Sequence, residues 1–313
     1  MFTARILICD PIDPEGIEKL KRAGFSVDSE SSITEESLKK KVHKYDVLIV
    51  RSRTKITREI IEHGKRLKLI ARAGSGLDNI DLKAAEERGI TVLNAPEASA
   101  ESVAELTIGL IIALARKIVQ ADCSMKQGRW LKKELKGMLL RGKKIGLIGL
   151  GNIGLRVAKI AKAMGMKILV TKRTPPSPEL LESLEAVFLP LDELLRQSDI
   201  VSIHIPLSEE TRHMIGADEI NKMKDGAFLI NTSRGEIVDE KALLDALKSG
   251  KLGGAALDVY ATEPPENLEL IKQPNVVCTP HIAAQTEEAQ KEASIKIAEK
   301  IIQFFQHSKS CFP

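Results

Sequence analysis

Aromatic side chains are scarce in this chain: one Trp, two Tyr and seven Phe amount to 3% of 313 residues. Packing therefore rests on aliphatic residues within a hydrophobic content of 43%. An excess of one charge is also lacking. The net charge of +4 is too small and too dispersed to imply a nucleic-acid partner. The densest basic run, residues 132–144, is interrupted by Leu139 and Leu140 and reads as a solvated helix face with its loop. The four cysteines, Cys9, Cys123, Cys278 and Cys311, lie far apart with no C-x-x-C pair, and no histidine stands at metal-ligand spacing. Free thiols and no metal site are expected. Long hydrophobic runs are missing too. Residues 2–9 are too short for a secretory signal and pass straight into Asp10 and Asp13. The longest apolar helix, residues 106–115, falls far below the ~20 residues that span a bilayer. A cytoplasmic protein without a membrane partner is the expectation.

The length exceeds what one core normally holds, so two domains are expected. In the first hundred residues short apolar runs (6–8, 47–50, 69–71, 92–93) alternate with amphipathic segments (14–22, 58–63, 82–88). Such alternation implies a parallel sheet wrapped by helices. A helical pattern over 99–123, broken by Gly128, leads into a second series of strands at 145–148, 168–170, 200–205, 227–231, 255–259 and 276–278. Residues 287–306 then form an amphipathic helix with no strand behind it, which has to pack back on the first unit. The fold class is α/β with two doubly wound parallel-sheet domains. A Rossmann-type cofactor domain (97–283) is inserted in a flavodoxin-like substrate domain (1–96 and 284–313).

The segment K-I-G-L-I-G-L-G-N-I-G-L-R-V-A-K from Lys144 carries a strand into Gly149, Gly151 and Gly154 and on into a helix. In that context the glycines allow a tight turn, close approach of a pyrophosphate and close helix packing, with free N–H groups meeting the phosphates. Downstream, three predicted strands end near Arg234, near Asp258 and Glu263, and near His281. Ligands of parallel sheets bind at these carboxyl ends. Singly, each residue has a bland explanation: His281 a backbone-satisfied loop residue, Glu263 a cap on the Pro264-Pro265 turn, Arg234 a partner of Glu236 or Asp239. Together they match the needs of reversible 2-hydroxy acid oxidation, which are a proton acceptor, a carboxylate that fixes its tautomer, and a forked cation for the substrate.

The blocks V-R-S-R-T-K-I-T from Val50, A-R-A-G-S-G-L-D-N-I-D from Ala71, A-E-L-T-I-G-L from Ala104, N-T-S-R-G-E-I-V-D-E from Asn231, A-L-D-V-Y from Ala256, T-E-P-P from Thr262 and T-P-H-I-A-A-Q-T from Thr279 resemble the D-isomer-specific 2-hydroxyacid dehydrogenases. The resemblance covers nearly the whole chain, and its first two blocks look most like the D-3-phosphoglycerate dehydrogenases. It implies His281 as acid/base, Glu263 as its partner and Arg234 as substrate anchor. It also implies Asn152 and Ile153 at the cofactor diphosphate, and Thr107 near the nicotinamide. His204, Pro206, Thr232, Ser233, Asp258, Ala283 and Ala284 would line the rest of the cofactor. The backbone of Gly74 and Ser75 would hold the substrate carboxylate, with Arg51, Ser52 and Arg72 available to a phosphate. For Arg72, and less so for Arg51, a structural ion pair at a strand end is the alternative.

Two departures from the family pattern follow. The sequence stops at Pro313, so C-terminal regulatory domains and serine feedback through them are expected to be absent. Lys172 and Arg173 stand where NAD-using members carry an acid, and T-K-R-T-P resembles the turn of NADP-preferring glyoxylate/hydroxypyruvate reductases. NAD(P) is therefore expected, with a lean towards NADP tolerance; the alternative is that both side chains point into solvent and NAD still binds. The leading expectation is oxidation of 3-phosphoglycerate, the first step towards serine. A glyoxylate/hydroxypyruvate reductase is the runner-up. A formate dehydrogenase, with Gln at the Glu263 position, and a non-enzymatic cofactor sensor rank below. The apolar 99–123 helix, with Trp130 beyond it, suggests a homodimer through the cofactor domain.

Overall fold

The computed structural model describes residues 4–310, and Cys311 lies outside them. The chain divides into two compact units, Met1–Ala100 with Ala284–Pro313, and Glu101–Ala283.

The first unit is built on a five-stranded sheet of β1 (Arg5–Ile8), β2 (Ser26–Ser29), β3 (Val47–Val50), β4 (Leu69–Arg72) and β5 (Thr91–Asn94). All pairs are parallel and the order is β2-β1-β3-β4-β5. This is the flavodoxin-like order. The central strands read V-L-I-V and L-I-A-R and are almost fully buried, because helices cover both faces. The long helix Glu287–Ser310 supplies part of one cover. Its Ile297, Ala298 and Ile301 are fully buried in one cluster with Ile6, Ile49 and Leu69. Ser294 ties it to the first helix by donating to the Asp13 carbonyl at 2.9 Å, and Lys300 donates to the Asn94 carbonyl at 2.7 Å.

The second unit holds a seven-stranded sheet of β6 (Lys144–Ile148), β7 (Lys167–Thr171), β8 (Ala186–Phe188), β9 (Ile200–Ile203), β10 (Ala227–Asn231), β11 (Leu252–Leu257) and β12 (Val276–Cys278). The order is β12-β11-β10-β9-β6-β7-β8, again all parallel. Counted from β6, this is the Rossmann order 3-2-1-4-5-6 with one further strand at the far edge. The order reverses between β6 and β9, so the glycine turn after β6 lies at the switch point. One apolar layer, including Leu243, Leu247 and Ile220, covers one face; another, including Ile111, Val157 and Ala161, covers the other.

Three expectations are corrected. The segment 99–123 is not one helix: it forms Ala100–Ala115 and Ile118–Lys126, parted at Lys117, which takes a left-handed φ of 54°. No Gly or Pro announces that break. The strand expected over 200–205 stops at Ile203, because His204 turns towards the glycine loop and the chain continues into Pro206. The edge strands β2 (S-V-D-S) and β8 (A-V-F) were not expected, because a polar or three-residue edge strand has no apolar run to betray it.

Candidate active site

In the second unit β6 ends at Ile148, and Gly149 turns the chain with φ of 99°. A Cβ on Gly149 would lie 2.4 Å from the His204 carbonyl oxygen, and one on Gly154 2.3 Å from the Gly149 carbonyl oxygen. These glycines are demanded by the protein itself. Gly151 differs: a Cβ there would meet no protein atom within 4 Å. It is the N-cap of the helix Asn152–Ala163 and no side chain caps that end, so the first-turn N–H groups of Asn152 and Ile153 face open space. A glycine that the fold does not need, beside uncapped helix donors, fits a bound diphosphate.

Flanking this turn, the His204 imidazole is half-buried, and desolvation pushes its pKa down to about 4; its Nε2 lies 2.9 Å from the Ser202 hydroxyl. Pro206 is exposed, and its carbonyl accepts from the Thr211 hydroxyl at 2.8 Å. At the end of β7, Lys172 and Arg173 are both exposed. Arg173 reaches Glu210 at 3.6 Å with both side chains largely in solvent, whereas Lys172 has no polar partner among the described residues. Thr107 is fully buried, its hydroxyl 2.7 Å from the Val103 carbonyl and 2.9 Å from the Thr232 hydroxyl.

Three neighbouring strands, β10, β11 and β12, deliver the chemistry-bearing loops. Asn231, the buried last residue of β10, accepts from the Ser233 N–H at 3.0 Å and donates to the Arg234 carbonyl at 2.9 Å. This Asx turn fixes the loop on which Arg234 sits. Next to it, Gly235 lies so close to the following loop that a Cβ would stand 1.9 Å from the Tyr260 carbonyl carbon. That loop carries Glu263, whose Oε1 accepts from the Tyr260 N–H at 3.3 Å. Its Oε2 lies 2.7 Å from His281 Nδ1, with the His281 and Glu263 side chains 46% and 39% exposed. A carboxylate only accepts, so the proton of a neutral His281 rests on Nδ1. Nε2 is then left with its lone pair to take a proton from a bound hydroxyl. Of the bland partners, Glu236 pairs with Arg212, and Asp239 caps the helix Glu240–Ser249. Asp258 and Ala283 are buried; Ala284 begins the return to the first unit.

In the first unit, Arg51 and Ser52 follow β3 on a loop held from beneath. Buried Asp10 accepts from the Arg51 N–H at 2.6 Å and the Thr54 hydroxyl at 2.8 Å, and pairs with Arg53 at 2.9 Å. Asn79 donates to the carbonyls of Arg51 and Thr54. Among the described residues the Arg51 guanidinium meets only neutral oxygens, Gln290 Oε1 at 3.2 Å and the Pro11 carbonyl at 3.5 Å. Arg72 donates to the Ala73 carbonyl at 3.1 Å, Gly74 follows with φ of 155°, and the Ser75 carbonyl accepts from Asn94 at 2.6 Å. Sequence reasoning missed Asp10, Asn79 and Asn231. Two of them could have been found as polar residues at the carboxyl end of an apolar strand.

Burial pushes the Cys9 thiol well above the ordinary range and raises that of Cys278. No helix among the described residues is long and apolar enough to cross a membrane.

The family model for the NAD-binding domain of the D-isomer-specific 2-hydroxyacid dehydrogenases matches residues 108–283. The chain belongs to that family. Membership makes it one of a group of nicotinamide-dependent oxidoreductases. Among its relatives, a hydroxypyruvate reductase of Thermotoga maritima is 49% identical across 96% of this chain and 98% of its own length. A D-3-phosphoglycerate dehydrogenase of Methanocaldococcus jannaschii is 48% identical across 95% of this chain, which spans only 56% of that relative. A glyoxylate reductase from Paecilomyes thermophila superposes with a TM-score of 0.88 at 33% identity, covering 96% of this chain and 95% of that one.

Proposed function

We propose that this chain catalyses reversible NAD(P)-dependent oxidation of a D-2-hydroxy acid, with 3-phospho-D-glycerate and 3-phosphohydroxypyruvate as its substrate pair. The observation that carries the chemistry is the 2.7 Å bond between His281 Nδ1 and Glu263, which leaves Nε2 as the proton acceptor. Imidazole, with an ordinary pKa near neutrality, serves both directions. Arg234 anchors the substrate carboxylate and polarises its carbonyl when the reaction runs as a reduction. When bound, the nicotinamide takes or gives the hydride; Gly151, Asn152 and Ile153 hold its diphosphate, and His204, Pro206, Thr232 and Ser233 line the remainder. On the first unit, the Ser75 N–H serves the carboxylate, because the Gly74 N–H already donates to the Arg72 carbonyl at 2.8 Å. Arg51, a guanidinium with no carboxylate partner among the described residues, meets the phosphate together with Ser52 and Arg72. Lys172 is the cation for a 2′-phosphate, which favours NADP tolerance.

A second reading, hydroxypyruvate or glyoxylate reduction, is favoured by the Thermotoga maritima relative, 98% of whose length this chain matches. Initial rates with phosphohydroxypyruvate, hydroxypyruvate and glyoxylate, each with NADH and NADPH, separate the two. A kcat/KM for phosphohydroxypyruvate no higher than for the unphosphorylated acids would overturn the phosphoglycerate reading. We also infer a homodimer through the cofactor unit. Its Ile118, Val119, Met125, Trp130 and Leu139 expose large apolar side chains within one short stretch of chain.

A further inference from the structure

Asp258 follows the last residue of β11 and is fully buried. Its N–H is spent on the Asn231 carbonyl at 3.0 Å. Its carboxylate collects three donors: Oδ1 accepts from the Thr279 hydroxyl at 2.6 Å and the Ile282 N–H at 2.9 Å, and Oδ2 accepts from the Ala283 N–H at 2.9 Å. These donors bracket His281, two residues before it and one and two after it. Between them His281 adopts a left-handed φ of 53°, uncommon for a residue other than glycine although histidine is among those that tolerate it. The Tyr260 hydroxyl adds a further tie at the same turn, 3.0 Å from the Thr279 carbonyl.

We propose that Asp258 is a positioning residue for His281: its carboxylate folds residues 279–283 into the turn that brings Nδ1 onto Glu263. The sequence resemblance offers Asp258 as a cofactor contact, but the hydrogen bonds give its two oxygens a task inside the protein. One consequence is that the aspartate acts on the acid/base without touching it. Asparagine at this position would turn an amide NH₂ towards a backbone N–H or the Thr279 hydroxyl, breaking at least one of the three bonds. A misplacement of about 1 Å at a reacting group costs roughly 100-fold in rate.

The inference rests on the reading of His281 as acid/base, so its test has two independent readouts. The first is kinetic: kcat, KM and the pH profile of kcat, with cofactor Kd measured directly. The second is the imidazole proton resonance of His281, assigned by its loss in His281→Ala and titrated without substrate. For Asp258→Asn we expect kcat to fall about 100-fold with cofactor Kd within about threefold. Thr279→Val should lower kcat roughly tenfold and move both the pH profile and the His281 titration, while Thr279→Ser restores all three. This pair decides the matter if Asp258→Asn fails to fold. An unmoved His281 titration in Thr279→Val, or loss of cofactor affinity in Asp258→Asn with that titration unmoved, would overturn the proposal. Undiminished turnover in His281→Ala would instead sink the acid/base reading, and the resonance would still report whether Asp258 holds the ring.

Discussion

The glycine turn invites a pair of substitutions that separate the needs of the fold from those of a ligand. In Gly151→Ala the new methyl meets no protein atom within 4 Å, and the backbone there, φ −87° and ψ −157°, is open to alanine. Alanine is the poorer N-cap by roughly 0.5–1 kcal/mol, while loss of glycine's unfolded-state freedom returns about 0.4–1 kcal/mol, so the two offset and Tm should hardly move. The same methyl stands in front of the uncapped N–H groups of Asn152 and Ile153. Losing one charge-assisted bond to a diphosphate, about 1.5–3 kcal/mol, weakens cofactor binding roughly 10- to 150-fold. Gly154→Ala should behave in the opposite sense. Its Cβ would be 2.3 Å from the Gly149 carbonyl oxygen, so helix and turn must part. Overpacking of that kind costs about 1–3 kcal/mol, at roughly 2–4 °C of Tm per kcal/mol in a domain of this size. Titration calorimetry with NADH and NADPH, alongside thermal melts, reads both quantities. A Gly151→Ala protein that binds cofactor as tightly as the parent would refute the assignment of this turn, whatever its activity.

Other outcomes follow from the same geometry. In Gly235→Ala the Cβ falls 1.9 Å from the Tyr260 backbone, pushing the Arg234 loop away from the Glu263 loop; kcat/KM should drop about 100-fold, and a loss below threefold would show that the two loops are not coupled. The depressed pKa of His204 makes the unfolded chain the better proton binder between about pH 6.5 and 4. Stability should therefore be full above pH 6.5 and decline by about 3 kcal/mol as pH falls to 4, a slope that urea unfolding should find in the parent and not in His204→Gln. Lys172→Asp should weaken NADPH use by about tenfold or more and spare NADH; an unchanged NADPH preference would remove Lys172 from cofactor choice. Sedimentation velocity of Trp130→Arg should show a shift from dimer to monomer, and a monomeric parent would refute the inferred interface.

What could be read from the sequence follows the strength of each local signal. The central strands β3, β6 and β10 announce themselves because a parallel strand covered on both faces is a continuous apolar run, and the order of strands and helices then restricts the topology. The edge strands β2 and β8 lack that signal, having a polar composition in one case and three residues in the other. The left-handed Lys117 is invisible for a related reason: it parts two helices by its backbone conformation, and nothing in a lysine advertises that.

The candidate site divides along the same line. Glu263 and His281 could be associated from sequence because adjacent parallel strands deliver them to one edge, a long-range pairing that strand order alone supplies. Residues that hold the loops beneath such groups carry no pattern of their own. Asp10, Asn79 and Asn231 each act through bonds to backbone groups far along the chain or around a turn, and Asp258 joins the ends of two strands. Asp10, Asn231 and Asp258 are sunk at the carboxyl end of the sheet or just beyond it, with Asn79 half-buried nearby, and the cost of burial is met by loop N–H and C=O groups that have no ladder partner. This is why the reactive side chains can sit half-exposed on short loops and still be oriented. The rigidity belongs to the polar residue below each loop, which predicts that substitutions there will lower kcat while leaving the exposed chemistry-bearing residues unaltered.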